Sequence, residues 1–208
     1  MKIIYVYDAL CGWCYGFSPV ITDIEKKYRD RFDFEVISGG MVTGDRIGSI
    51  GEVAPYIKWA YKDVEKATGV KFGNTFLNET LEKGEAIFTS IEPAIALSIF
   101  KDFKKEDNIA FAGALQKAIY YDGIEPLNLE AYGKIAQRFG LDSADFVSKM
   151  EDTYFKNLAY EDFKNAAAFG VRGFPTLIAE INEQYYQLAN GYMPLESLET
   201  NLQELLKK

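Results

Sequence analysis

The chain has 208 residues, of which 48% are hydrophobic and 26% charged, a composition typical of a folded globular protein with a sizeable core. Its net charge of −8, with no basic stripe, argues against a nucleic-acid partner. Histidine is absent, which excludes Ser–His and Cys–His nucleophile pairs and imidazole metal sites, and two cysteines alone cannot close a structural zinc site. The sequence therefore predicts no metal centre.

The N-terminal residues lead directly into an apolar strand and lack the pattern of a signal peptide. No later segment is apolar for long enough to predict a membrane-spanning helix, since the longest candidate is interrupted by Glu92, Pro93 and Asp102. We therefore expect a cytoplasmic protein. In that compartment a close pair of cysteines is more often catalytic or redox-sensing than structural.

The first elements are a strand, a helix and a second strand. Residues 2–7 are apolar on both faces, as in a central strand, and residues 11–28 predict an amphipathic helix that contains Pro19. Residues 32–37 alternate between acidic and apolar side chains, which favours an edge strand. Because such a unit is parallel with a right-handed crossover, the segment from Ser38 to Met41 should lie at the same sheet edge as the start of the helix.

The middle of the chain, from about residue 45 to 155, has helical periodicity throughout. Helices are predicted over residues 55–66, 87–103, 108–121, 129–139 and 143–154. Strand patterns return only at residues 176–181 and 184–189, which Asn182 and Glu183 join as a short hairpin, and a last helix starts near Pro194. The pattern predicts one α/β fold that is split by a helical insertion.

Cys11-Gly12-Trp13-Cys14 contains the only two cysteines of the chain, between a strand and a helix. The amides at a helix N-terminus favour negative charge, so Cys11 should attack as a thiolate. Cys14, one turn into the helix, should be more buried and should act as the resolving thiol. A structural or incidental pair is the alternative, which the flanking strand and helix make less favourable.

A second motif, Gly170-Val171-Arg172-Gly173-Phe174-Pro175-Thr176, lies immediately before a predicted strand. Together with Cys-Gly-Trp-Cys it resembles the thioredoxin superfamily, and specifically its DsbA-like branch. This resemblance implies a thioredoxin fold interrupted by an all-helical insertion. The expected domains are a discontinuous thioredoxin-fold domain, residues 1–44 and 156–208, and an inserted helical domain, residues 45–155.

The resemblance also implies that Pro175 is cis and that its loop faces the cysteines. In that branch the backbone of the preceding residue, here Phe174, pairs with an extended substrate segment. Trp13, at the tip of the cysteine motif, is either a further substrate-binding residue or a packing residue. Where the archetypal oxidase of the branch has Pro-His between its cysteines this chain has Gly-Trp, so that oxidase's strongly oxidising potential should not be carried over.

A comparison of redox potentials favours the reducing direction of disulfide exchange. A DsbA-like potential is about −120 mV, against about −220 to −260 mV for cytosolic glutathione. Because about 30 mV is a tenfold change for a two-electron couple, such a protein would stay almost wholly reduced in the cytosol. We therefore expect a thiol–disulfide oxidoreductase acting as a reductase or isomerase on protein or small-molecule thiols and disulfides. It should need no metal or organic cofactor, with glutathione or a thioredoxin system as recycling partner.

Two other functions remain open. One is a glutathione-dependent transferase or isomerase of the kappa-like branch, which shares the split architecture but usually lacks the second cysteine, so Cys14 argues against it. The other is a non-catalytic adaptor whose cysteines sense redox state. The oligomeric state is not predicted.

Three weaker sets of candidates accompany the cysteines. Asp8 is a turn residue or a proton acceptor for Cys14, and the segment from Ser38 to Met41 offers either loop geometry or amides for a ligand such as glutathione. The third set consists of aromatic residues that either line a groove over the cysteines or, more often for such spacing, belong to the core: Tyr56, Trp59, Tyr61, Tyr120 and Tyr121.

Overall fold

The computed structural model describes residues 1–207. The strands are β1 (Lys2–Tyr7), β2 (Asp33–Ser38), β3 (Gly48–Ser49), β4 (Ile87–Phe88), β5 (Thr176–Ile181) and β6 (Gln184–Asn190). The main helices are α1 (Gly12–Tyr28), α2 (Ala54–Thr68), α3 (Leu81–Lys83), α4 (Ile91–Phe103), α5 (Asn108–Tyr120), α6 (Leu129–Gln137), α7 (Ser143–Met150), α8 (Thr153–Ala168) and α9 (Leu195–Leu205). No helix within the described residues is long and apolar enough to cross a membrane.

A four-stranded sheet in the order β2-β1-β5-β6 carries the fold. β1 pairs with β2 in parallel, from Lys2 opposite Asp33 to Tyr7 opposite Ser38, and with β5 in antiparallel orientation. The edge position of β2 and its parallel pairing are confirmed. β1 is central because its apolar run fills both faces of the sheet, whereas the first half of β2 stays partly exposed.

Alternate residues of β1 enter two different cores. Ile3, Tyr5 and Tyr7 face the large core that contains α1, whereas Ile4 and Val6 join a smaller cluster on the opposite face. The sheet is therefore covered on both sides, and the aromatic residues of β1 lie on the side of the cysteine helix.

The β5–β6 hairpin has the predicted two-residue turn. Asn182 and Glu183 both have positive φ, 49° and 63°, as a turn that matches the twist of two antiparallel strands requires. A register shift lies between Leu177 and Ile178. β5 begins directly after the Gly-Phe-Pro segment and pairs with β1, so the hairpin brings that segment beside the end of the first strand.

The thioredoxin-like α/β fold with intervening helices is confirmed, with two differences of detail. The helix predicted from residue 87 begins at Ile91, because Ile87 and Phe88 pair with Gly48 and Ser49 in a two-residue sheet that is too short to show a sequence period. The helix predicted over 143–154 ends at Met150, and a second helix, α8, whose range was not predicted, begins at Thr153. Asp152 separates the two, since its carboxylate caps α8 by accepting a hydrogen bond from the Tyr154 amide at 2.8 Å.

α8 connects the helical region to the sheet. It packs against α4 and β2, and Asp162 of α8 forms an ion pair with Lys101 of α4 at 3.0 Å. Lys101 also donates to the Val36 carbonyl, and the Ser38 amide donates to Asp162 at 3.0 Å. The buried pair thus satisfies backbone groups of the edge strand. The division into domains stays a prediction, and its later boundary, at 155/156, falls within α8.

Candidate active site

The two cysteines occupy the first turn of α1. Cys11 is the N-cap residue, with φ −92° and ψ 111°, and its Sγ accepts a hydrogen bond from the Cys14 amide at 3.4 Å. Both cysteines are free thiols. Cys11 is 7% exposed and Cys14 is fully buried, as the sequence predicts. The helix therefore presents one sulfur near the surface, next to an amide that favours negative charge, and keeps the other inside.

Burial governs the chemistry of Cys14. It raises the pKa of the Cys14 thiol well above the usual value of 9.0, and the hydrogen bond and charge of Cys11 raise it further. The reduced protein therefore holds a protonated Cys14 at neutral pH. The thiolate needed for attack has to form in a site that disfavours it.

The loop before β5 forms the other wall of the site. The Phe174–Pro175 peptide bond is cis, as the resemblance implies. The Cys11 thiol donates to the Phe174 carbonyl at 3.5 Å, and the Pro175 carbonyl accepts from the Gly191 amide at 2.7 Å. Pro175 is buried and Phe174 is half-buried. Tertiary structure thus joins two motifs that lie 163 residues apart in sequence.

Gly39 makes room for the ring of Phe174. A Cβ atom built on Gly39 would lie 2.1 Å from Phe174 Cε1 and 2.3 Å from its Cζ. The sequence identifies Gly39 only as part of a loop, because nothing local indicates which side chain approaches it. It is a structural requirement for the position of the Phe174 ring.

The amides of the Ser38–Met41 segment are engaged within the protein. The Gly39 amide donates to the Tyr7 carbonyl at 2.7 Å, and the Met41 amide donates to the Asp8 carboxylate at 2.7 Å. The Ser38 amide is held by the α8 carboxylate described above. These bonds favour the loop-geometry interpretation over a ligand cradle.

Asp8, in the turn between β1 and α1, is hydrogen-bonded to groups from three separate segments. Its buried carboxylate accepts hydrogen bonds from the amides of Leu10 and Met41, at 2.9 and 2.7 Å, and from the Ser90 hydroxyl at 2.9 Å. Burial nevertheless raises the pKa of Asp8 above the usual value of 3.8. Gln116 donates to the Asp8 carbonyl at 3.2 Å. Ser90 and Gln116 carry no local sequence signal for this contact, because they come from the N-cap of α4 and from α5.

Trp13 is half-buried and packs on the loop after β6. Its ring lies 6.1 Å from that of Tyr192, which also meets Phe17 edge-on at 6.5 Å. Tyr192 follows Gly191, which binds the Pro175 carbonyl. The loop after β6 therefore links Trp13 to the cis-proline loop, a connection that the sequence did not predict.

The five aromatic residues noted in the helical region do not share one environment. Tyr56 and Trp59 are 57% and 56% exposed and meet edge-on at 5.2 Å, and Tyr121 is also exposed, so a core assignment is wrong for these three. Tyr120 is buried, and its hydroxyl donates to the Leu10 carbonyl in the turn before Cys11. Tyr120 thus anchors the backbone of the residue that precedes Cys11.

Among residues 1–207 there is no group of three or more His, Cys, Asp or Glu side chains arranged to hold a metal ion. The arrangement is that of a two-thiol site: a near-surface sulfur at a helix N-terminus, a buried partner sulfur, and a backbone carbonyl facing the first. Such a site can exchange disulfides with a substrate.

Several solved structures have a similar overall fold. A candidate protein disulfide isomerase from Nitrosomonas europaea is similar in structure, with a TM-score of 0.87, 26% identity, and coverage of 99% of this chain and 97% of that one. Cytosolic disulfide reductase DsbM from Pseudomonas aeruginosa has a TM-score of 0.83 at 22% identity, covering 100% and 99% of the two chains.

The DsbM structure that contains glutathione has a TM-score of 0.81 at 20% identity and covers both chains completely. At these two lower identities the likeness shows the fold alone. No curated protein sequence matches this chain significantly. The family model of the DSBA-like thioredoxin domain matches residues 2–203, and the chain therefore belongs to this family of disulfide oxidoreductases.

Proposed function

We propose that this protein reduces or isomerises disulfides, with Cys11 as the attacking thiol and Cys14 as the resolving thiol. One observation carries the proposal: Cys11 Sγ lies between the amide of Cys14 at 3.4 Å and the carbonyl of Phe174 at 3.5 Å. The reactive sulfur is thereby placed between a helix N-terminus and the loop that would hold substrate.

The reaction takes two exchanges. The Cys11 thiolate attacks one sulfur of a substrate disulfide, a Cys11–substrate bond forms, and the second substrate sulfur leaves with the electron pair and takes up a proton. Cys14 then loses its proton and attacks Cys11 Sγ. The Cys11–Cys14 disulfide forms, the remaining substrate thiolate departs and is protonated, and two electrons have passed from the protein to the substrate.

The substrate would lie along the cis-proline loop. We propose that the backbone of Phe174, next to Pro175, pairs with an extended segment of the substrate and that Trp13 supplies an apolar contact. The position of Phe174 opposite Cys11 supports the first role. The half-exposed ring of Trp13 at the edge of the cysteine turn supports the second.

The reducing direction follows from the compartment that we propose, the cytoplasm. A Cys-Gly-Trp-Cys site would act as a reductase there if its potential lies near or below the glutathione poise of about −220 to −260 mV. Glutathione is the recycling thiol that we propose, with a thioredoxin system as the other source of electrons. The glutathione-containing structure of the similar protein DsbM supports this choice.

A trapping experiment tests the roles of the two cysteines. Cys14→Ala should accumulate a mixed disulfide with its substrate on Cys11, visible as added mass under non-reducing conditions and removed by a reductant. Cys11→Ser, the matched control, should accumulate none. A Cys14→Ala variant with undiminished turnover would instead favour the glutathione-dependent transferase or isomerase.

A redox titration tests the direction. The purified protein is equilibrated with a series of glutathione and glutathione disulfide ratios, and the dithiol fraction is measured by thiol alkylation and mass. We expect a midpoint near or below the cytosolic poise. A midpoint about 100 mV higher would identify an oxidase. At equilibrium with glutathione, the ratio of the dithiol to the disulfide form of such a protein would be more than a thousandfold higher, so its disulfide form would take electrons from substrate thiols.

A further inference from the structure

Two tyrosine hydroxyls lie buried beneath the cysteine helix. The alternation of β1 turns Tyr5 and Tyr7 toward α1, where both are about 1% exposed. Their rings are 5.5 Å apart, and the ring of Tyr5 also contacts Phe17 of α1 at 5.8 Å. A tyrosine buried in a strand usually finds a hydrogen-bond partner for its hydroxyl.

Within residues 1–207 neither hydroxyl makes a hydrogen bond of normal geometry. A buried hydroxyl without a partner costs free energy that phenylalanine in the same place would avoid. Phe17, which the Tyr5 ring contacts, lies one turn after Cys14 on the same fully buried face of α1, so Tyr5 lies on the side of the sheet that faces Cys14. After burial, the charge and hydrogen bonding of Cys14 are among the causes that raise the pKa of Tyr5 well above 10.0. Tyr5 therefore keeps its proton and remains a donor throughout the neutral range.

We propose that the Tyr5 hydroxyl donates the hydrogen bond that stabilises the Cys14 thiolate when Cys14 attacks the mixed disulfide on Cys11. This inference rests on the proposed function, since it assigns a donor to the resolving step of that reaction. The buried Cys14 is a poor place for negative charge and needs donors. The hydroxyl gains a full acceptor only when the thiolate forms, so the bond favours the reacting state over the resting state.

Other groups around Cys14 act on the same thiolate. In the turn before α1, the backbone of Asp8 lowers the pKa of Cys14, while the charge of the Asp8 carboxylate raises it. Cys11 carries no charge once it is in the mixed disulfide. The titratable side chains that face Cys14 from α1, the preceding turn, β1 and α5 are Cys11, Asp8, Tyr5, Tyr7 and Tyr120.

The size of the effect can be bounded. A hydrogen bond to an ionised group increases the thiolate fraction by about tenfold. Its loss also makes the remaining thiolate about threefold more nucleophilic, because reactivity rises with basicity with a slope of about 0.4 to 0.5. Tyr5→Phe should therefore slow resolution about threefold at every pH below the point where Cys14 ionises.

Stopped-flow reaction with dithiobis-nitrobenzoate separates the two steps. Attack by Cys11 releases the first coloured aryl thiolate, and resolution by Cys14 releases the second while the Cys11–Cys14 disulfide forms; the two protons go to the buffer. We expect Tyr5→Phe to leave the first phase unchanged and to slow the second about threefold between pH 7 and 9. Its stability in urea should be equal to or greater than that of the wild type, because an unpartnered hydroxyl is removed.

Tyr7→Phe is the matched control, since Tyr7 is equally buried on the same face and equally unpartnered. After burial, the charges of Asp8 and then of Cys14 raise the pKa of Tyr7, but no hydrogen bonding of Cys14 is among the causes, as it is for Tyr5. Its second phase should match the wild type. An unchanged second phase in Tyr5→Phe, or equal slowing in both variants, would overturn the inference. A wild-type protein with no second phase dependent on Cys14 would instead refute the proposed function.

Discussion

Replacement of Gly39 by alanine tests whether the ring of Phe174 positions the substrate wall. The added Cβ would lie 2.1 Å from Phe174 Cε1, whereas two carbon atoms in contact prefer about 3.5 to 4.0 Å. The ring must therefore retreat by about 1.5 Å, or the Ser38–Met41 segment must move away from it. That segment is held by bonds to Tyr7 and Asp8, so we expect the Phe174 loop to yield.

Two magnitudes follow from this displacement. Overpacking of this kind costs about 1 to 3 kcal/mol of unfolding free energy. A shift of about 1 Å at a positioning group can lower a rate about a hundredfold. Because the Phe174 carbonyl faces Cys11 Sγ at 3.5 Å, we expect Gly39→Ala to slow reduction of a protein disulfide by about tenfold to a hundredfold.

The assay combines turnover on a disulfide-bonded protein with urea unfolding. Gly173→Ala is the matched control, because it alters the cis-proline loop itself, yet its Cβ would meet only Asn190 Oδ1 at an ordinary 3.7 Å. The double variant Gly39→Ala with Phe174→Ala removes the ring that clashes. The cost of adding Gly39→Ala to the Phe174→Ala variant should therefore be much smaller than its cost in the wild type. A double-mutant cycle measures this difference as a coupling free energy.

A wild-type unfolding midpoint together with wild-type turnover in Gly39→Ala would refute a positioning role for the Phe174 ring. Absence of coupling in the double variant would do the same, because the cost of the added methyl group would then arise elsewhere than at the ring.

The remaining predictions concern pH, the buried ion pair and Trp13. Because burial raises the pKa of Cys14, the thiolate fraction and hence the resolution rate should rise about tenfold per pH unit through pH 7 to 9, and a flat stopped-flow profile would contradict this. Asp162→Asn should lower the unfolding free energy, measured in urea, by about 3 to 5 kcal/mol, because Lys101 loses its buried partner. Adding Lys101→Met to this variant should restore part of the loss, and an unchanged unfolding midpoint in Asp162→Asn would refute the role of the pair. Trp13→Ala should raise KM for a protein disulfide with little change in kcat, whereas a loss of about 1 kcal/mol in stability with KM unchanged would leave Trp13 as a packing residue.

Local patterns were sufficient wherever a structure depends on near neighbours in sequence. The continuous apolar run of β1, the two-residue turn at Asn182 and Glu183, and the N-terminal position of Cys11 on α1 all follow from side-chain period, turn chemistry and helix capping. Short or interrupted elements escaped this reasoning. The two-residue strands β3 and β4 are too short to show a side-chain period. They form because the tertiary fold brings Gly48 and Ser49 beside Phe88 and Ile87.

The sequence by itself determined the chemistry: two thiols at a strand–helix turn, no histidine, and a Gly-Phe-Pro segment ahead of a strand. Only the tertiary structure decided what surrounds those thiols. The fit of Phe174 against Gly39, the bond from Ser90 to Asp8, and the packing of Tyr5 against Phe17 of α1 each join residues from separate elements. Such contacts depend on how helices and strands pack, and packing is fixed by the shape of the whole core, which no local pattern contains.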